Sequence, residues 1–345
     1  MLSRIIHLKV FFKDPNKKGI LKMIKEIIHY GWVKKELPTD YFRKCLYRKE
    51  IINYNNYLSL NEYRKIIRSK KMVFPEIKSI LHNKLSSHFY FNNLGLPIPK
   101  LISYNLKNNY FFNTKISIVN TKSDLIAFFE TVFESSQETR LFLKFLDSNG
   151  GKGILLLKKE NLKKIIEVNA DILLNNSFMH QEVIKQHQEI NKIFSKSINS
   201  LRIITYINNK NDINILSVLM RFGIGNSIVD NANAGGFFIS VDMATGMLKG
   251  VGRQDFTKGA RVFIKHPDTN ILLENFKVPF FLDACDLAKK ATKYLPNKIV
   301  GWDIAISPTG PIIIEGNHTP SLHMSDIAFG GYCNNPLIKE ILNNL

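Results

Sequence analysis

The segment GWDIAISPTGPIIIEGN, residues 301–317, places two acids and an amide among β-branched and other apolar residues. Residues 301–306 and 311–317 are each typical of a short strand. The intervening Ser307-Pro308-Thr309-Gly310 is typical of a tight turn, because proline suits the second turn position and glycine a following left-handed position. The segment therefore predicts a β-hairpin with a three-residue loop, Pro308 to Gly310, and a bulge.

The loop length decides which side chains of this hairpin share a face. A three-residue loop pairs Ser307 with Pro311, and therefore Asp303 with Glu315. Alternation of side chains along a strand adds Asn317 to the same face. Two neighbouring carboxylates repel unless a cation lies between them or they share a proton, and Mg²⁺ prefers oxygen ligands. The hairpin predicts either a magnesium site of Asp303, Glu315 and Asn317, or a solvated sheet face that carries these residues by chance.

Length and composition indicate a globular chain with an anionic partner. A chain of 345 residues is long enough for two or three packed units. It has no apolar run of transmembrane length, and its first residues lack a signal-peptide pattern. Its net charge of +19 favours a nucleotide, nucleic acid, acidic glycan or membrane surface, with a lysine-rich compositional bias as the alternative explanation. Three widely spaced cysteines fit a reducing cytoplasm.

Patterning divides the chain into three regions. Residues 1–72 are basic and mostly helical in pattern, which indicates a surface helical layer, with contact to an anionic membrane as the alternative. Residues 73–198 combine helical segments with two strands that flank a glycine-rich loop. Residues 199–345 are rich in strands, with a helix interposed at 280–294. We predict an α+β architecture with antiparallel strands around a cleft.

Cations within apolar strands indicate an anionic ligand. Lys144 lies in LFLKFL, and Arg202 and Arg221 occupy similar positions in later strands. A buried cation needs an anionic partner, which a phosphate would supply; the alternative for each arginine is a structural ion pair with an internal acid. The loop 147–153, DSNGGKG, has three glycines that let backbone N–H groups approach an anion, but it is not a Walker A loop and an ordinary β-turn is the alternative.

A family resemblance joins these features. The segments that carry it, in chain order, are FLKFLDSNGGKGI, HQEVIKQH, INSLRIITY, LMRFGIGNSIVDNANAGGFFISVD, HPDT and VGWDIAISPTGPIIIEGNHTPSL. From about residue 78 to 335 the sequence resembles the ATP-grasp superfamily, specifically its sugar-transfer-associated branch, which is found with bacterial surface-polysaccharide enzymes. The resemblance implies an ATP-grasp fold, two α+β lobes that clasp ATP, preceded here by a helical N-terminal extension.

The resemblance also implies roles for individual residues. Lys144 would contact the α- and β-phosphates, with Arg202 and Arg221 acting on the γ-phosphate or an acyl phosphate. Glu182 would bind the adenine amine through its backbone, and Glu189 or His187 the ribose. The implied nucleotide-binding residues are Lys144, Ser148, Asn149, Gly150, Gly151, Lys152, Gly153, Gln181, Glu182, Val183, Ile184, Glu189 and Arg202.

The same resemblance implies the metal positions, and the substrate-pocket residues are a separate expectation. Asp303, Glu315 and Asn317 would carry two Mg²⁺ ions, with Mn²⁺ as an alternative metal. Many ATP-grasp ligases have an arginine two residues before the first metal-binding acid, and this chain has Gly301 there, so Arg202 or Arg221 would supply that charge. The expected substrate-pocket residues are Asn231, Asn233, Gly235, Gly236 and His318.

The implied activity is ATP-dependent carboxylate–amine ligation through an acyl phosphate. The expected partners are an amine or amino acid and an anionic sugar, in the synthesis of O-antigen or capsule; nucleic acid is not expected. The enzyme is expected in the cytoplasm, with peripheral contact to a membrane or a lipid-linked glycan through the basic N-terminal region. Alternatives are an ATP-dependent phosphotransferase, which needs the same ATP site, and a Mg²⁺-dependent nuclease.

Overall fold

A computed structural model describes residues 9–146 and 153–345 and divides the chain into two compact units. Unit 1 comprises the chain up to Lys78 together with Gln186–Pro311 and Gly316–Leu345. Unit 2 comprises Ser79–Lys185 and Ile312–Glu315. The units divide after Lys78 and Lys185, and the expected boundaries after residues 72 and 198 remain a prediction. The N-terminal region belongs to the same unit as the C-terminal sheet.

Both units combine helices with antiparallel strands, so the fold is α+β, as predicted. The helices are α1 (Ile20–Lys34), α2 (Thr39–Arg43), α3 (Leu60–Arg68), α4 (Pro75–His82), α5 (Lys84–Asn93), α6 (Lys122–Ser136), α7 (Leu162–Asn175), α8 (Gln188–Ile193), α9 (Phe281–Tyr294), α10 (His323–Ala328) and α11 (Pro336–Asn343). The strands are β1 (Leu101–Leu106), β2 (Asn109–Phe112), β3 (Lys115–Ile118), β4 (Arg140–Phe145), β5 (Ile154–Lys158), β6 (Phe178–Glu182), β7 (Leu201–Ile207), β8 (Ile213–Phe222), β9 (Phe237–Val241), β10 (Leu248–Gln254), β11 (Val262–Phe263), β12 (Ile299–Ser307) and β13 (Gly310–Asn317).

Unit 2 is built on a six-stranded sheet in the order β3-β2-β1-β6-β4-β5. Its strand pairs are antiparallel, and Lys144 on β4 pairs with Ile154 on β5. The strand pair predicted around the glycine-rich loop is therefore confirmed, although residues 147–152 themselves lie outside the described residues. Apolar side chains of α6 and α7, such as Phe129 and Leu173, form one core cluster with Leu141 of the sheet. This burial supplies most of the stability of such a layered unit.

Unit 1 contains a seven-stranded sheet in the order β11-β10-β9-β8-β7-β12-β13. Every residue of β7 and of β12 is buried, so these central strands need cover on both faces. Helix α9 contributes Thr292, whose hydroxyl accepts a hydrogen bond of 2.9 Å from the Trp302 indole N–H. Helix α10 packs against β8 and β9, where Ile327 joins a cluster with Leu219.

The predicted hairpin of residues 301–317 is present as β12 and β13 with Pro308 and Thr309 in the turn. Gly310, expected as the last loop residue, is the first residue of β13 and has a φ of 137°, where a Cβ atom would be strained. The hydroxyl of Ser307 donates a 2.8 Å hydrogen bond to the carbonyl of Gly310 and so closes the turn. The pairing of Asp303 with Glu315 remains a prediction.

The N-terminal region joins unit 1 through apolar and ionic contacts. Leu58 and Ile66 share a core cluster with Ile204 and other residues of the C-terminal part. The buried ammonium of Lys44 lies 2.5 Å from the Asp326 carboxylate on α10. That carboxylate also accepts a 2.8 Å hydrogen bond from the Tyr332 N–H. The N-terminal region therefore contributes apolar side chains to the core of unit 1.

We expect Asp326→Ala to destabilise unit 1 strongly, because it leaves the Lys44 ammonium buried without this carboxylate. The expected loss is about 3–5 kcal/mol in the free energy of unfolding, measured by urea unfolding followed through tryptophan fluorescence, since both tryptophans lie in unit 1. The control is Lys192→Ala, which breaks an exposed pair with Glu189 in the same unit and should change little. Equal effects of the two substitutions would contradict the role of Asp326.

We expect a pH effect from His180, whose ring is buried in unit 2 between Ser103 and Asn105. Burial lowers the pKa of His180 to about 3, whereas the pKa in the unfolded chain is about 6.5. Between these two pH values the unfolded chain therefore binds more protons than the folded chain does. The stability that the folded state gains from burying neutral His180 is complete above pH 6.5 and is lost as the pH falls towards 3. By pH 5 the loss should reach about 2 kcal/mol. Thermal unfolding at pH 7 and pH 5 should show a smaller difference for His180→Asn than for the wild type.

Candidate functional site

The sheet of unit 1 brings three predicted site residues together. Arg202 on β7 is the register partner of Asp303 on β12, so both side chains project from one face. The Arg202 guanidinium donates to both carboxylate oxygens of Asp303, through Nε to Oδ1 and through Nη2 to Oδ2 at 3.0 Å. Arg221 on β8 reaches the same Oδ2 with its Nη2 at 3.1 Å. One buried carboxylate therefore binds two guanidinium groups.

Two residues that the sequence did not single out hold Arg221 in place. The hydroxyl of Ser200 accepts hydrogen bonds from Arg221 Nη2 at 2.5 Å and Nε at 3.2 Å. Asp230 lies 3.6 Å from Arg221 Nε and accepts hydrogen bonds from the N–H and the hydroxyl of Ser200. The cluster of Arg202, Arg221, Asp230 and Asp303, below called the arginine–aspartate cluster, balances two positive against two negative charges.

The two aspartates of the arginine–aspartate cluster have pKa values shifted in opposite directions. Burial by itself raises the pKa of Asp303, but the charges and hydrogen bonds of Arg202 and Arg221 outweigh it and hold the pKa below its usual value. Burial also raises the pKa of Asp230, and there the opposing effects of Arg221 and Ser200 are insufficient. Asp303 is therefore the ionised anchor of the two guanidiniums.

The structure explains the glycine at position 301. A Cβ atom there would lie 2.7 Å from Cβ of Pro320 and 3.5 Å from Cδ of Arg202. The place of a side chain at residue 301 is thus taken by the proline and by the Arg202 side chain. Arg202, carried by the neighbouring strand, supplies positive charge beside the position where the resemblance expected an arginine.

Three other predicted residues converge in unit 2. Lys144, Gln181 and Glu315 all line one cavity of about 20 Å³, and the Lys144 ammonium lies over the Phe142 ring at 5.6 Å from its centre. Such a volume holds about one water molecule. The cavity brings these polar groups together without having room for a nucleotide.

One polar atom of this cavity has no protein partner. Within the described ranges, the buried Oε1 of Gln181 accepts no hydrogen bond, while its amide nitrogen donates to the Pro99 carbonyl at 3.3 Å. An unsatisfied buried acceptor costs about 1–3 kcal/mol. A ligand that donates a hydrogen bond would remove this cost. The neighbouring His88 is neutral at pH 7, because burial and the Lys144 charge lower its pKa to about 4.

A larger cavity lies in unit 1 and includes another predicted residue. Its volume is about 800 Å³, and its wall contains Glu189 together with the segment 275–283. This volume is in the range of small-molecule sites. The Glu189 carboxylate lies 2.8 Å from the Lys192 ammonium, and His187 accepts a 3.2 Å hydrogen bond from the Glu189 N–H. Of the two candidate ribose contacts, only Glu189 lines the cavity.

The remaining predicted residues have separate positions. The side chain of Asn231 accepts a 2.8 Å hydrogen bond from the Asn233 N–H and so caps a short turn next to Asp230. The carbonyl of Gly235 accepts a 2.7 Å hydrogen bond from Gln254. Strand β6 ends at Glu182, so Val183 and Ile184 follow it. Ser148, Asn149, Gly150, Gly151 and Lys152 lie outside the described residues.

The comparison with protein families decides the class of this chain. The model of the sugar-transfer associated ATP-grasp family matches residues 69–340. The chain belongs to this family. No curated protein sequence matched the chain significantly.

Solved structures of other ATP-grasp enzymes are similar at low sequence identity. D-alanyl-alanine synthetase A from Vibrio cholerae has 13% identity and a TM-score of 0.47, over 79% of this chain and 67% of that chain. D-alanine–D-alanine ligase from Bacillus anthracis has 12% identity and a TM-score of 0.43, over 78% of this chain and 68% of the other.

Membership in the sugar-transfer-associated ATP-grasp family places the chain in the ATP-grasp ligase class of enzymes, which use ATP with a divalent metal ion. The residues present fit such a metal in their chemistry, since Asp303, Glu315 and Asn317 offer hard oxygen donors. No three histidine, cysteine, aspartate or glutamate side chains in 9–146 and 153–345 are placed to share a metal ion.

Sequence reasoning missed several residues that surround the predicted ones. Ser200 and Asp230 gave no local signal, because a serine before a strand and an aspartate in a loop are common. Tyr63 of the N-terminal region also lies within reach of the Arg202 charge, which opposes the effect of burial in raising the tyrosine pKa. Of the acids that contact these arginines, Asp303 lies within an apolar strand and Asp230 lies in a loop. A comparison of the strand sequences could therefore have identified only Asp303.

We expect Lys144→Met to weaken nucleotide binding, because the variant keeps the apolar part of the side chain and removes its charge. A charge-assisted contact to phosphate predicts a Kd increased on the order of tenfold to a hundredfold, measured with a fluorescent ATP analogue. The matched control is Lys158→Met on the adjacent β5, which should leave Kd unchanged. The role of Lys144 would be refuted by equal Kd values for the two variants.

Proposed function

We propose that the chain is an ATP-dependent carboxylate–amine ligase that joins an amino acid or simple amine to a sugar in the assembly of a bacterial surface polysaccharide such as O-antigen or capsule. The observation that carries this proposal is the convergence of Arg202 and Arg221 on Asp303 in a member of the sugar-transfer-associated ATP-grasp family. The sugar would contribute either the carboxylate, as a uronic acid, or the amine, as an amino sugar.

The proposed reaction has two steps, the formation of an acyl phosphate and the formation of the amide. A carboxylate oxygen attacks the γ-phosphorus of ATP, the bond to the β,γ-bridging oxygen breaks, and an acyl phosphate and ADP form. The amine nitrogen then attacks the acyl carbon, phosphate leaves, and the amine loses a proton as the amide forms. Neither step needs an oxidant or a reductant. The protein contributes mainly by positioning the reactants and stabilising the transferring charge.

The arginine–aspartate cluster is suited to the transferring phosphoryl group. Guanidinium groups offer planar pairs of donors that match phosphate oxygens. Arg221 is fixed by Ser200 and Asp230, so it would lose little further freedom on binding. The ionised Asp303 would keep the two arginines close together and limit their mutual repulsion.

Lys144 and Glu189 are proposed to bind the nucleotide itself. Lys144 would contact the α- and β-phosphates, with the loop 148–153 next to it in the chain. Glu189 lines a cavity whose volume fits a small molecule, which supports it as the ribose contact. The buried Oε1 of Gln181, which accepts no hydrogen bond from the described residues, supports the binding of a ligand group that donates one.

Asp303, Glu315 and Asn317 are proposed to hold two Mg²⁺ ions, for which Mn²⁺ could substitute. A bound metal ion would neutralise negative charge on the phosphates. Because Asp303 already binds two guanidiniums, it would share its oxygens between arginine and metal. Among the described residues, no arginine pairs with Glu315. We therefore propose that Glu315 contributes more to metal binding than Asp303 does.

The basic composition supports an anionic second substrate. The net charge of +19 attracts uronic acids, nucleotide sugars and glycan phosphates alike. The turn that contains Asn231 and Asn233 directly follows Asp230 in the chain, and Asp230 belongs to the arginine–aspartate cluster. We propose this turn, with Gly235, Gly236 and His318, as the part that contacts the acceptor.

The proposal is tested by ADP release from ATP and Mg²⁺ with amino acids combined with uronic-acid or amino-sugar nucleotides, followed by mass analysis. Ligation predicts a product whose mass equals both substrates minus water. A stable phosphorylated product formed without amine would instead identify a phosphotransferase. Cleavage of supercoiled DNA with Mg²⁺ alone would identify a nuclease.

We expect Glu315→Gln and Asp303→Asn to reduce amine-dependent ADP release on the order of a hundredfold or more, because each removes a charge proposed to act on metal or phosphate. The controls are Glu134→Gln and Asp286→Asn, which change exposed acids on α6 and α9 and should retain full activity. Circular dichroism establishes that each variant is folded. Full activity of the folded Glu315→Gln variant would refute the metal assignment.

A further inference from the structure

Helix α1 carries an exposed apolar stripe. Ile20, Ile24, Ile28 and Trp32 follow one another at intervals of four residues, so they lie above one another on one side of the helix. The exposed fractions of the stripe residues and their neighbours are 72% for Ile20, 78% for Leu21, 48% for Ile24, 68% for Ile28 and 77% for Trp32. At ~100° per residue these side chains cover roughly 120° of the helix surface. Singly exposed apolar residues need no explanation, but a continuous stripe does.

The opposite side of α1 is fixed to unit 1, so the stripe has a defined direction. Met23 and Tyr30 belong to a buried cluster with Tyr41. Glu26 is also buried, and its carboxylate lies 2.7 Å from the Lys18 ammonium and accepts a 2.7 Å hydrogen bond from the Tyr41 hydroxyl. The helix cannot rotate to bury the stripe without breaking this pair. The stripe is therefore a permanent feature of the folded unit.

The charges beside the stripe are positive. Lys22 and Lys25 are exposed on α1, and Lys35 is exposed directly after it. The helix has one acid, Glu26, which is buried and paired with Lys18. The next acid, Glu36, accepts hydrogen bonds from backbone N–H groups of residues 60 and 61. An apolar stripe with a basic border and no exposed acid on the helix suits an anionic surface.

We propose that α1 docks on the surface of an anionic phospholipid bilayer and lies in its plane, with the stripe inserted at the boundary between headgroups and acyl chains. Apolar burial and lysine–phosphate attraction add in this arrangement. Trp32 lies in the last turn, where its amphipathic ring favours the interfacial depth. With 15 residues and one side buried in unit 1, α1 would lie along the bilayer surface.

A second copy of the chain is the other possible occupant, and the charges disfavour it. A two-fold contact through the stripe brings the same surface of both copies together. The exposed lysines of α1 from both copies would then border one interface, with no exposed acid on α1 to compensate. Anionic lipid headgroups would neutralise these lysines instead.

Vesicle flotation tests the stripe. The wild-type chain should bind vesicles of phosphatidylcholine with about 30% phosphatidylglycerol and bind pure phosphatidylcholine far less. The triple variant Ile24→Ser, Ile28→Ser and Trp32→Ser should bind anionic vesicles at least about tenfold more weakly, because it loses the apolar contact. The matched control is Ile116→Ser, Ile118→Ser and Val168→Ser, three exposed apolar residues of unit 2, which should bind as the wild type does.

A second pair of variants tests the charge. Lys22→Glu with Lys25→Glu should weaken binding to anionic vesicles by on the order of tenfold and flatten its salt dependence. Lys163→Glu with Lys164→Glu changes two exposed lysines of α7 by the same net charge and should have little effect. Equal losses in both pairs would mean that net charge, rather than α1, attracts the protein to the vesicles, and would overturn the proposal.

Tryptophan fluorescence locates the contact directly. The chain has two tryptophans, and Trp302 is fully buried whereas Trp32 is 77% exposed. Anionic vesicles should shift the emission to shorter wavelength, and lipids brominated near the headgroup should quench it. Both effects should disappear in Trp32→Phe. A wild-type spectrum unchanged at saturating vesicles would overturn the proposal.

Oligomeric state completes the test. If the wild type is a dimer, the triple serine variant a monomer, and their vesicle binding equal, the stripe is a self-association surface and the proposal fails. A monomeric wild type with weaker vesicle binding in the triple variant supports it. Circular dichroism should be unchanged in all variants, since the substituted side chains are exposed. These measurements contain no ATP, so their outcome is independent of that of the ligase assay.

Discussion

The contact between the Asp303 carboxylate and two guanidiniums is the constraint on which the chemistry of unit 1 depends. A carboxylate inside a fully buried strand would be protonated without compensating charge. The sheet register places Arg202 beside it, and β8 adds Arg221. Removing either arginine would leave buried negative charge less compensated, and removing Asp303 would bring two like charges together. The strand pairing and the arginine–aspartate cluster therefore support one another.

The N-terminal region is also held to unit 1 by a buried ion pair. Most of this region precedes residue 69, where the match to the family model begins. Lys44 pairs with Asp326, and Leu58 and Ile66 complete a core that belongs to the C-terminal sheet. One side of α1 is used for this packing and the other remains in solvent. A region that packs into the core of unit 1 can in this way also present a surface for a further contact.

Local chemistry predicted the elements well. Turn residues around Pro308 identified the hairpin, and apolar periodicity identified the helix at 280–294, seen as Phe281–Tyr294. Lys144 and Arg202 stood out because a charge inside an apolar strand is unusual. The sequence could not show what each cation contacts, since its partner lies on another strand. It also could not show that residues before 73 belong to unit 1, because the contacts that join them are distant in the sequence.

By itself, the sequence determined the family, the α+β class, the hairpin and the list of cations and acids available for a site, because these depend on residue type and short-range spacing. Only the tertiary structure decided that Asp303 binds Arg202 and Arg221, that Pro320 and Arg202 fill the space at Gly301, and that α1 leaves its stripe exposed. Each of these facts depends on which residues become neighbours when strands pair and helices pack. Residue type and short-range spacing do not determine which of these side chains come into contact.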